Sequence, residues 1–109
     1  MTHDEIVNVV MDRARRRGVL VHYCHRARFC QGDPGLPDVI AVGKFRAAWI
    51  EVKTPFDRLD PPQTTWKHAL KGAGQEHHVV RPEQLNDGAL DAILDGLAFG
   101  QSVLFREAV

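Results

Sequence analysis

Apolar residues at the start of the chain repeat with the period of an α-helix. Four of them fall on one helix face, namely Ile6, Val9, Val10 and Ala14. This spacing predicts an amphipathic helix over residues 3–17. Thr2 and Glu5 have the spacing of a capping box, and Gly18 is expected to end the helix.

Three short runs rich in β-branched and aromatic residues follow, and they predict strands at residues 19–25, 38–42 and 47–53. Glycine and proline residues within 26–36 predict a loop after the first strand. Residues 43–44 begin a turn, so the second and third strands are expected to form a hairpin. Three consecutive strands of this kind can form an antiparallel meander.

The second half of the chain alternates between helix and strand patterns. Asp60 followed by Pro61 is typical of a helix start, and a helix is predicted over residues 61–71. A strand over residues 77–81 and a last helix over residues 82–97 follow. The buried stripe of this last helix is expected to consist of Leu85, Ala89, Ile93 and Leu97.

The resulting order, α-β-β-β-α-β-α, predicts an α/β fold. The helix between the third and fourth strands is expected to form a right-handed crossover, which places the fourth strand parallel to one of the others. We therefore expect a mixed four-stranded sheet flanked by helices. At 109 residues the chain is expected to form one domain, residues 1–109, with its core over about residues 3–97 and a tail at 98–109.

Composition and charge exclude few classes of protein. No apolar run reaches the roughly 18 residues of a membrane span, and the N-terminus lacks the basic-then-apolar order of a signal peptide. We therefore expect a cytoplasmic protein without a membrane partner. Fourteen basic and 14 acidic residues give a net charge of zero, which by itself does not indicate nucleic acid.

The basic residues are nevertheless concentrated at one end, because the first 30 residues hold six arginines against three acidic residues. These arginines are Arg13, Arg15, Arg16, Arg17, Arg26 and Arg28. They could form a basic edge that contacts nucleic-acid phosphates. The helical ones could equally lie at a solvated helix end, where cations are favourable.

Two cysteines, Cys24 and Cys30, lie close to His22 and His25. A zinc site would need all four to converge on one tetrahedral ion. No C-x2-C pair is present, and a strand would place His25 on the face opposite Cys24 and His22. A zinc-stabilised interaction protein is therefore kept only as an alternative, and a disulfide is not expected in a reducing compartment.

Glu51 and Lys53 lie two residues apart in a predicted strand, so their side chains point to the same face. Ile50 and Val52 point to the other face, into apolar packing. Asp38 begins the neighbouring strand of the hairpin and is expected to lie near Glu51. Two close carboxylates repel each other, and a divalent cation that prefers oxygen ligands, Mg²⁺ or Mn²⁺, relieves that repulsion.

The candidate site depends on Asp38, because an acid-x-Lys triplet alone arises on the order of once by chance in a chain of this length. A cation there would lower the pKa of a bound water and stabilise the charge that develops on phosphorus. Lys53 could orient or deprotonate that water, or neutralise the phosphate. Glu5, on the first helix, could supply another carboxylate, directly or through water.

Five segments occur in an order and spacing that resemble the VRR-NUC family, the virus-type replication-repair nucleases of the PD-(D/E)XK superfamily. They are G-L-P-D at 35–38, I-E-V-K-T-P at 50–55, R-L-D-P-P-Q-T-T-W at 58–66, A-G at 73–74 and V-V-R-P at 79–82. The resemblance covers about residues 3–97. The superfamily core is α-β-β-β-α-β, which agrees with the order predicted from periodicity.

The resemblance implies a metal site in which Asp38, Glu51 and the main-chain carbonyl of Val52 are the ligands. It implies that Lys53 is the catalytic lysine. Gln63 matches the helix glutamine of the family, which supports the site.

Further residues are candidates around this site. Glu5 matches the acidic residue that the family carries on its first helix, and it is a possible metal ligand. Arg58 and Lys67, near the site, are expected to contact DNA phosphates, as are Arg26 and Arg28.

The resemblance implies a structure-selective DNA endonuclease similar to Holliday-junction resolvases, encoded by a phage and acting in a bacterial cytoplasm. Symmetrical cutting of two strands by a chain with one active site would need a homodimer. The tail at 98–109 and the first helix are candidate interface elements. The alternatives are a flap or nicking nuclease of the same family and a non-catalytic nucleic-acid-binding module.

Overall fold

Helices and strands alternate along the described part of the chain, residues 1–24 and 31–100 of this computed structural model, in the predicted order with one difference. The elements are α1 (His3–Arg16), β1 (Leu20–Tyr23), β2 (Val39–Val42), β3 (Ala47–Val52), α2 (Pro61–Gly72), β4 (Glu76–Val80), α3 (Pro82–Asn86) and α4 (Ala89–Phe99). Both predicted helix starts are confirmed, since Thr2 caps α1 and Asp60 caps α2, each within a capping box.

The four strands form one mixed sheet in the order β1-β2-β3-β4. β1, β2 and β3 make an antiparallel meander, and β4 pairs parallel to β3. The parallel pair requires a crossover between its two strands, and α2 supplies it and packs against β4. The predicted α/β fold class, with a mixed four-stranded sheet and flanking helices, is confirmed.

The apolar core lies on one face of the sheet. α1 packs across β1, β2 and β3 and also against α4. Alternate strand residues, including Val39, Ala48, Ile50 and Val80, point into this core and are fully buried. The residues between them point to the opposite face, which therefore carries the side chain of Glu51.

The last predicted helix is wrong in one respect, because the structure has two helices there. Gly88 adopts a left-handed φ of +86°, and Asp87 Oδ1 accepts a 2.8 Å hydrogen bond from the N–H of Ala89. This turn ends α3 and restarts the helix as α4, which shifts the buried stripe by one residue. Ala89 and Ile93 are only half-buried. The buried leucines are Leu85, Leu90, Leu94 and Leu97.

Two of the N-terminal arginines hold α1 against α4. Arg17 Nε donates to Asp95 Oδ1 at 2.7 Å, and its Nη2 donates to Asp91 Oδ1 at 2.9 Å. Arg13 Nη1 donates to Asp91 Oδ2 at 3.2 Å and to the carbonyl of Leu85 at 3.0 Å. These two side chains therefore stabilise the packing of α1 and are engaged by acidic partners of the same chain.

Arg16 also adds little to the expected basic edge, because its charge is paired with that of Asp12 at 2.9 Å within α1. Arg15 is exposed. Arg26 and Arg28 lie outside the described residues, so their expected phosphate contacts stay predictions. Of the two interpretations of the helical arginines, the structure favours the helix-end one, with several of the cations neutralised by acidic partners.

The expectation that the cysteines form no disulfide is wrong, since Cys24 is disulfide-bonded. A sulfur in a disulfide is not a thiolate and cannot ligate zinc. His25 and Cys30 lie outside the described residues. Within residues 1–24 and 31–100, no group of three or more His, Cys, Asp or Glu side chains is placed to hold a metal ion. The zinc alternative therefore has no support.

Two further predictions concern membranes and the tail. Among the described helices, none has the length and apolar character that would be needed to cross a bilayer. The tail beyond Gly100 lies outside the described residues, so its role as an interface stays a prediction.

Candidate functional site

Asp38 and Glu51 face each other across the β2–β3 hairpin. The antiparallel register pairs Val39 with Ile50. The next positions along the two strands are Asp38 and Glu51, so these two residues lie opposite each other. The N–H of Val52 donates a 2.8 Å hydrogen bond to Asp38 Oδ2. The structure therefore brings together the two carboxylates that the hairpin was expected to bring together.

Glu51 is almost completely buried, with 1% of its surface exposed. Its Oε1 has no hydrogen-bond partner among the described residues. Burial, followed by the hydrogen bond and the negative charge of Asp38, raises the pKa of Glu51 to about 9, while Lys53 lowers the pKa and Asp60 raises it. A buried carboxyl with an unpaired oxygen is unfavourable when ionised, unless a cation accompanies it.

Lys53 follows directly after β3 and lies on the Glu51 face by alternation. Its N–H donates to the carbonyl of Val80 at 3.0 Å, so β4 holds this end of β3 in place. The side chain of Lys53 is half-buried, and its positive charge acts on Glu51, as the pKa effect shows. The structure thus places Lys53 beside the carboxylate pair.

Gln63 occupies the capping box at the start of α2. Its Oε1 accepts from the N–H of Asp60 at 3.0 Å, and its own N–H donates to Asp60 Oδ1 at 3.0 Å. Asp60 is close enough to Glu51 for its charge to raise the pKa of that carboxyl. Gln63 therefore fixes the first turn of α2 near the site.

Glu5, expected as a possible metal ligand, has its carboxylate in the capping box of α1, and its role at the site stays a prediction. Its Oε1 accepts from the N–H of Thr2 at 3.0 Å, and its own N–H donates to Thr2 Oγ1 at 3.2 Å. These hydrogen bonds lower the pKa of Glu5, which is exposed. The side chain that α1 directs to Asp38 is instead His3, whose Nε2 lies 3.2 Å from Asp38 Oδ2.

Sequence reasoning missed His3, because its contact spans 35 residues and depends on where α1 packs. Its ring also lies beside Tyr23, with the two ring centroids 6.4 Å apart. The only local signal was its place in the first turn of the helix, next to Asp4 and Glu5.

A cavity of about 260 Å³ opens beside Asp38 and is lined by Cys24 and residues 31–37. The loop of residues 31–37 packs against α2. The indole Nε1 of Trp66 donates to the carbonyl of Pro34 at 3.0 Å. Gly35, at a φ of +94°, lies so close to Pro62 that a Cβ atom would clash with it. This packing sets the wall of the cavity.

The expected phosphate-binding residues differ in their surroundings. Arg58 is exposed, and Lys67 is half-buried on α2, where its charge helps to lower the pKa of His77 after the larger effect of burial. A further arginine nearby, Arg81 just before α3, has a structural contact instead, because its Nη1 donates to the carbonyls of Thr54 and Asp57 at 2.8 and 2.6 Å.

Two solved structures share this architecture. A structure named "VRR_NUC domain" has a TM-score of 0.66 and 19% sequence identity, over 82% of this chain and 94% of that chain. A second, named "VRR_NUC domain protein", has a TM-score of 0.66 and 22% identity, over 95% of this chain and 98% of that chain. No protein-family model and no curated protein matches the chain. The chain therefore has the fold of VRR_NUC domains, as the sequence resemblance implied.

Proposed function

We propose that this protein, which has the fold of VRR_NUC domains, is a divalent-cation-dependent nuclease that hydrolyses phosphodiester bonds in DNA. The observation that carries the proposal is the buried Glu51 carboxyl, with its unpaired Oε1, beside Asp38. Two carboxylates in this position repel each other and lose hydration, and one cation removes both penalties.

The donor atoms fit a hard cation. Asp38, Glu51 and the main-chain carbonyl of Val52 are oxygen donors, and Mg²⁺ or Mn²⁺ prefers such ligands. One or two carboxylates suffice for Mg²⁺, which keeps several waters. When bound, such a cation lowers the pKa of a water and offsets charge on a phosphate.

The chain's own residues would hold the reacting groups in place. The N–H of Val52 fixes the Asp38 carboxylate through its Oδ2. Lys53, on the same face as Glu51, presents an ammonium group to the scissile phosphate or to the attacking water. The Asp60–Gln63 capping box anchors α2 next to these groups.

DNA is the proposed substrate, and its backbone would lie along the exposed side of the site. The cavity of about 260 Å³ beside Asp38 would face this backbone. Arg58 and Lys67 are the proposed phosphate contacts among the described residues, and Arg26 and Arg28 are proposed in addition. Each would add a charge contact that weakens as salt concentration rises.

We also propose selectivity for branched DNA, with activity like that of a Holliday-junction resolvase, and a homodimer as the active form. A chain with one site would need a partner copy to make two symmetrical cuts, and two-fold dimers are the commonest assembly. The apolar face of α1 is already covered by the sheet and α4, which disfavours it as the interface. A phage origin and a host cytoplasmic location rest on the sequence resemblance.

A non-catalytic nucleic-acid-binding module is the alternative from another class. It is disfavoured by the burial of Glu51 next to Asp38, since a binding surface gains nothing from a costly buried acid pair. A flap or nicking nuclease would use the same residues, and substrate choice separates it from a resolvase.

The test is cleavage of four-way junction, flap, single-stranded and linear duplex DNA with Mg²⁺, Mn²⁺ or EDTA. Wild type is expected to cut with metal and not with EDTA. Lys53→Ala should lose activity, while Lys44→Ala, which changes an exposed lysine in the β2–β3 turn, should keep it. No cleavage of any substrate with either metal would overturn the proposal, and so would equal cleavage by Lys53→Ala.

A further inference from the structure

One oxygen of Asp38 receives two contacts from different parts of the fold. Oδ2 accepts the N–H of Val52 at 2.8 Å and lies 3.2 Å from Nε2 of His3. A carboxylate oxygen has two lone pairs, so these two contacts occupy Oδ2. Neither of these two contacts involves the other oxygen, Oδ1, which we take as the oxygen that would bind a cation.

His3 is itself held in position. It lies in the first turn of α1, directly after the Thr2 cap. Its ring packs beside Tyr23 of β1, and the hydroxyl of Tyr23 donates to Asp4 Oδ1 at 3.3 Å. His3 Nδ1 also lies 3.8 Å from Asp4 Oδ1. The imidazole therefore links the start of α1 to Asp38.

We propose that His3 is a positioning residue that orients the Asp38 carboxylate for binding the divalent cation. The inference rests on the proposed function, because it takes Asp38 to be a ligand. Hydrogen bonds to the groups that ligate a metal fix their orientation, and their loss typically lowers metal affinity by roughly 10–100-fold. His3 and the N–H of Val52 contact the same oxygen of Asp38 from two different elements of the fold, α1 and β3, so both restrict the orientation of the carboxylate.

The chemistry of the imidazole suits this position. A further acid at this point would add negative charge to the Asp38–Glu51 pair, where burial and, after it, Asp38 already raise the pKa of Glu51 to about 9. An imidazole N–H instead donates to the ligand carboxylate and adds no negative charge to the pair. Glu5, the acid expected from α1, has its carboxylate in the capping box with Thr2.

The experiment is calorimetric titration of Mn²⁺ into the full chain, without DNA, for wild type, His3→Ala, His3→Gln and His68→Ala. His3→Ala is expected to raise the Kd for Mn²⁺ about 10–100-fold. His3→Gln, whose amide Nε2 can donate in place of the imidazole, should recover part of the affinity. His68, exposed on α2, is the matched control and should match wild type.

Thermal unfolding of each variant in EDTA distinguishes a role of His3 in stability from a role in metal binding. Without metal, His3→Ala should keep the melting temperature of wild type within a few degrees. In DNA cleavage, raising Mn²⁺ should restore the activity of His3→Ala and should not restore Lys53→Ala.

A Kd for His3→Ala within twofold of wild type would overturn the inference, as would equal losses in His3→Gln and His3→Ala. If wild type binds Mn²⁺ with the expected His3 dependence but cuts no DNA, the proposed function fails and the positioning role stands. If wild type cuts DNA and His3→Ala binds Mn²⁺ normally, only the inference fails.

Discussion

The N–H of Val52 donates a 2.8 Å hydrogen bond to Asp38, so the strand that carries Glu51 also orients the second carboxylate. Asp38→Asn keeps an oxygen that accepts this bond and removes the charge. We expect at least a ~100-fold loss of cleavage, comparable to removing one preorganised group from an active site. Single-turnover cleavage at fixed Mn²⁺ measures it, with the EDTA melting temperature as the folding control. Activity within tenfold of wild type would show that Asp38 is not a ligand.

The buried Glu51 should make the metal-free protein less stable as pH rises. Burial and Asp38 raise the pKa of Glu51 to about 9 in the folded protein, whereas a glutamate in the unfolded chain has a pKa of about 4.3. Between these values the folded state holds a proton that the unfolded state releases, so the free energy of unfolding falls from about pH 5 to about pH 9.

Urea unfolding curves recorded in EDTA at pH 5 and pH 8 measure this change in the free energy of unfolding with pH. Glu51→Gln, which mimics the protonated carboxyl, should flatten the slope and be more stable than wild type at pH 8 by roughly 2–4 kcal/mol. Saturation with Mn²⁺ should stabilise wild type at pH 8, by about 2.7 kcal/mol at 100 times the Kd. A wild-type stability that rises between pH 5 and pH 8 would contradict the assignment.

Arg17 is expected to contribute to stability and not to the site. Arg17→Ala removes its bonds to Asp91 and Asp95 and leaves these two acids one helical turn apart on α4. We expect a loss of about 1–3 kcal/mol in the free energy of unfolding. Arg15→Ala, which changes an exposed residue on the same helix, should stay within about 0.5 kcal/mol. Denaturant melts check both, and Mn²⁺ affinity should be unchanged in each.

Gly35 is expected to be required for the loop that leads to Asp38. Gly35→Ala would place a Cβ against Pro62 at a φ of +94°, so the loop must move off the first turn of α2. We expect a loss of about 1–3 kcal/mol in stability, together with weaker Mn²⁺ binding. Gly72→Ala is the matched control, because a Cβ there meets nothing within 4 Å. Equal melting temperatures for the two variants would contradict this account.

The carboxylate pair could be predicted from the sequence because its determinants are local. Strand alternation places Glu51 and Lys53 on one face, and a short hairpin turn places Asp38 opposite Glu51. The capping box of α1 and the Asp60 cap of α2 could be predicted for the same reason, since each involves residues close together in the sequence.

The features that escaped prediction depend on tertiary packing. His3 reaches Asp38 only because α1 docks across the meander. The bend at Gly88 was missed because a glycine within an apolar periodicity is tolerated in a helix, and nothing local identifies the one that adopts a left-handed φ.

The hairpin also has a consequence for the order in which the chain folds. Asp38 and Val52 are 14 positions apart, whereas His3 and Asp38 are 35 apart. Closing a short loop costs less chain entropy than closing a long one, so we expect the two acids to meet before His3 reaches Asp38. Their mutual repulsion would then oppose an early step of folding, and a proton or a cation that neutralises the pair would assist the chain before any substrate is present.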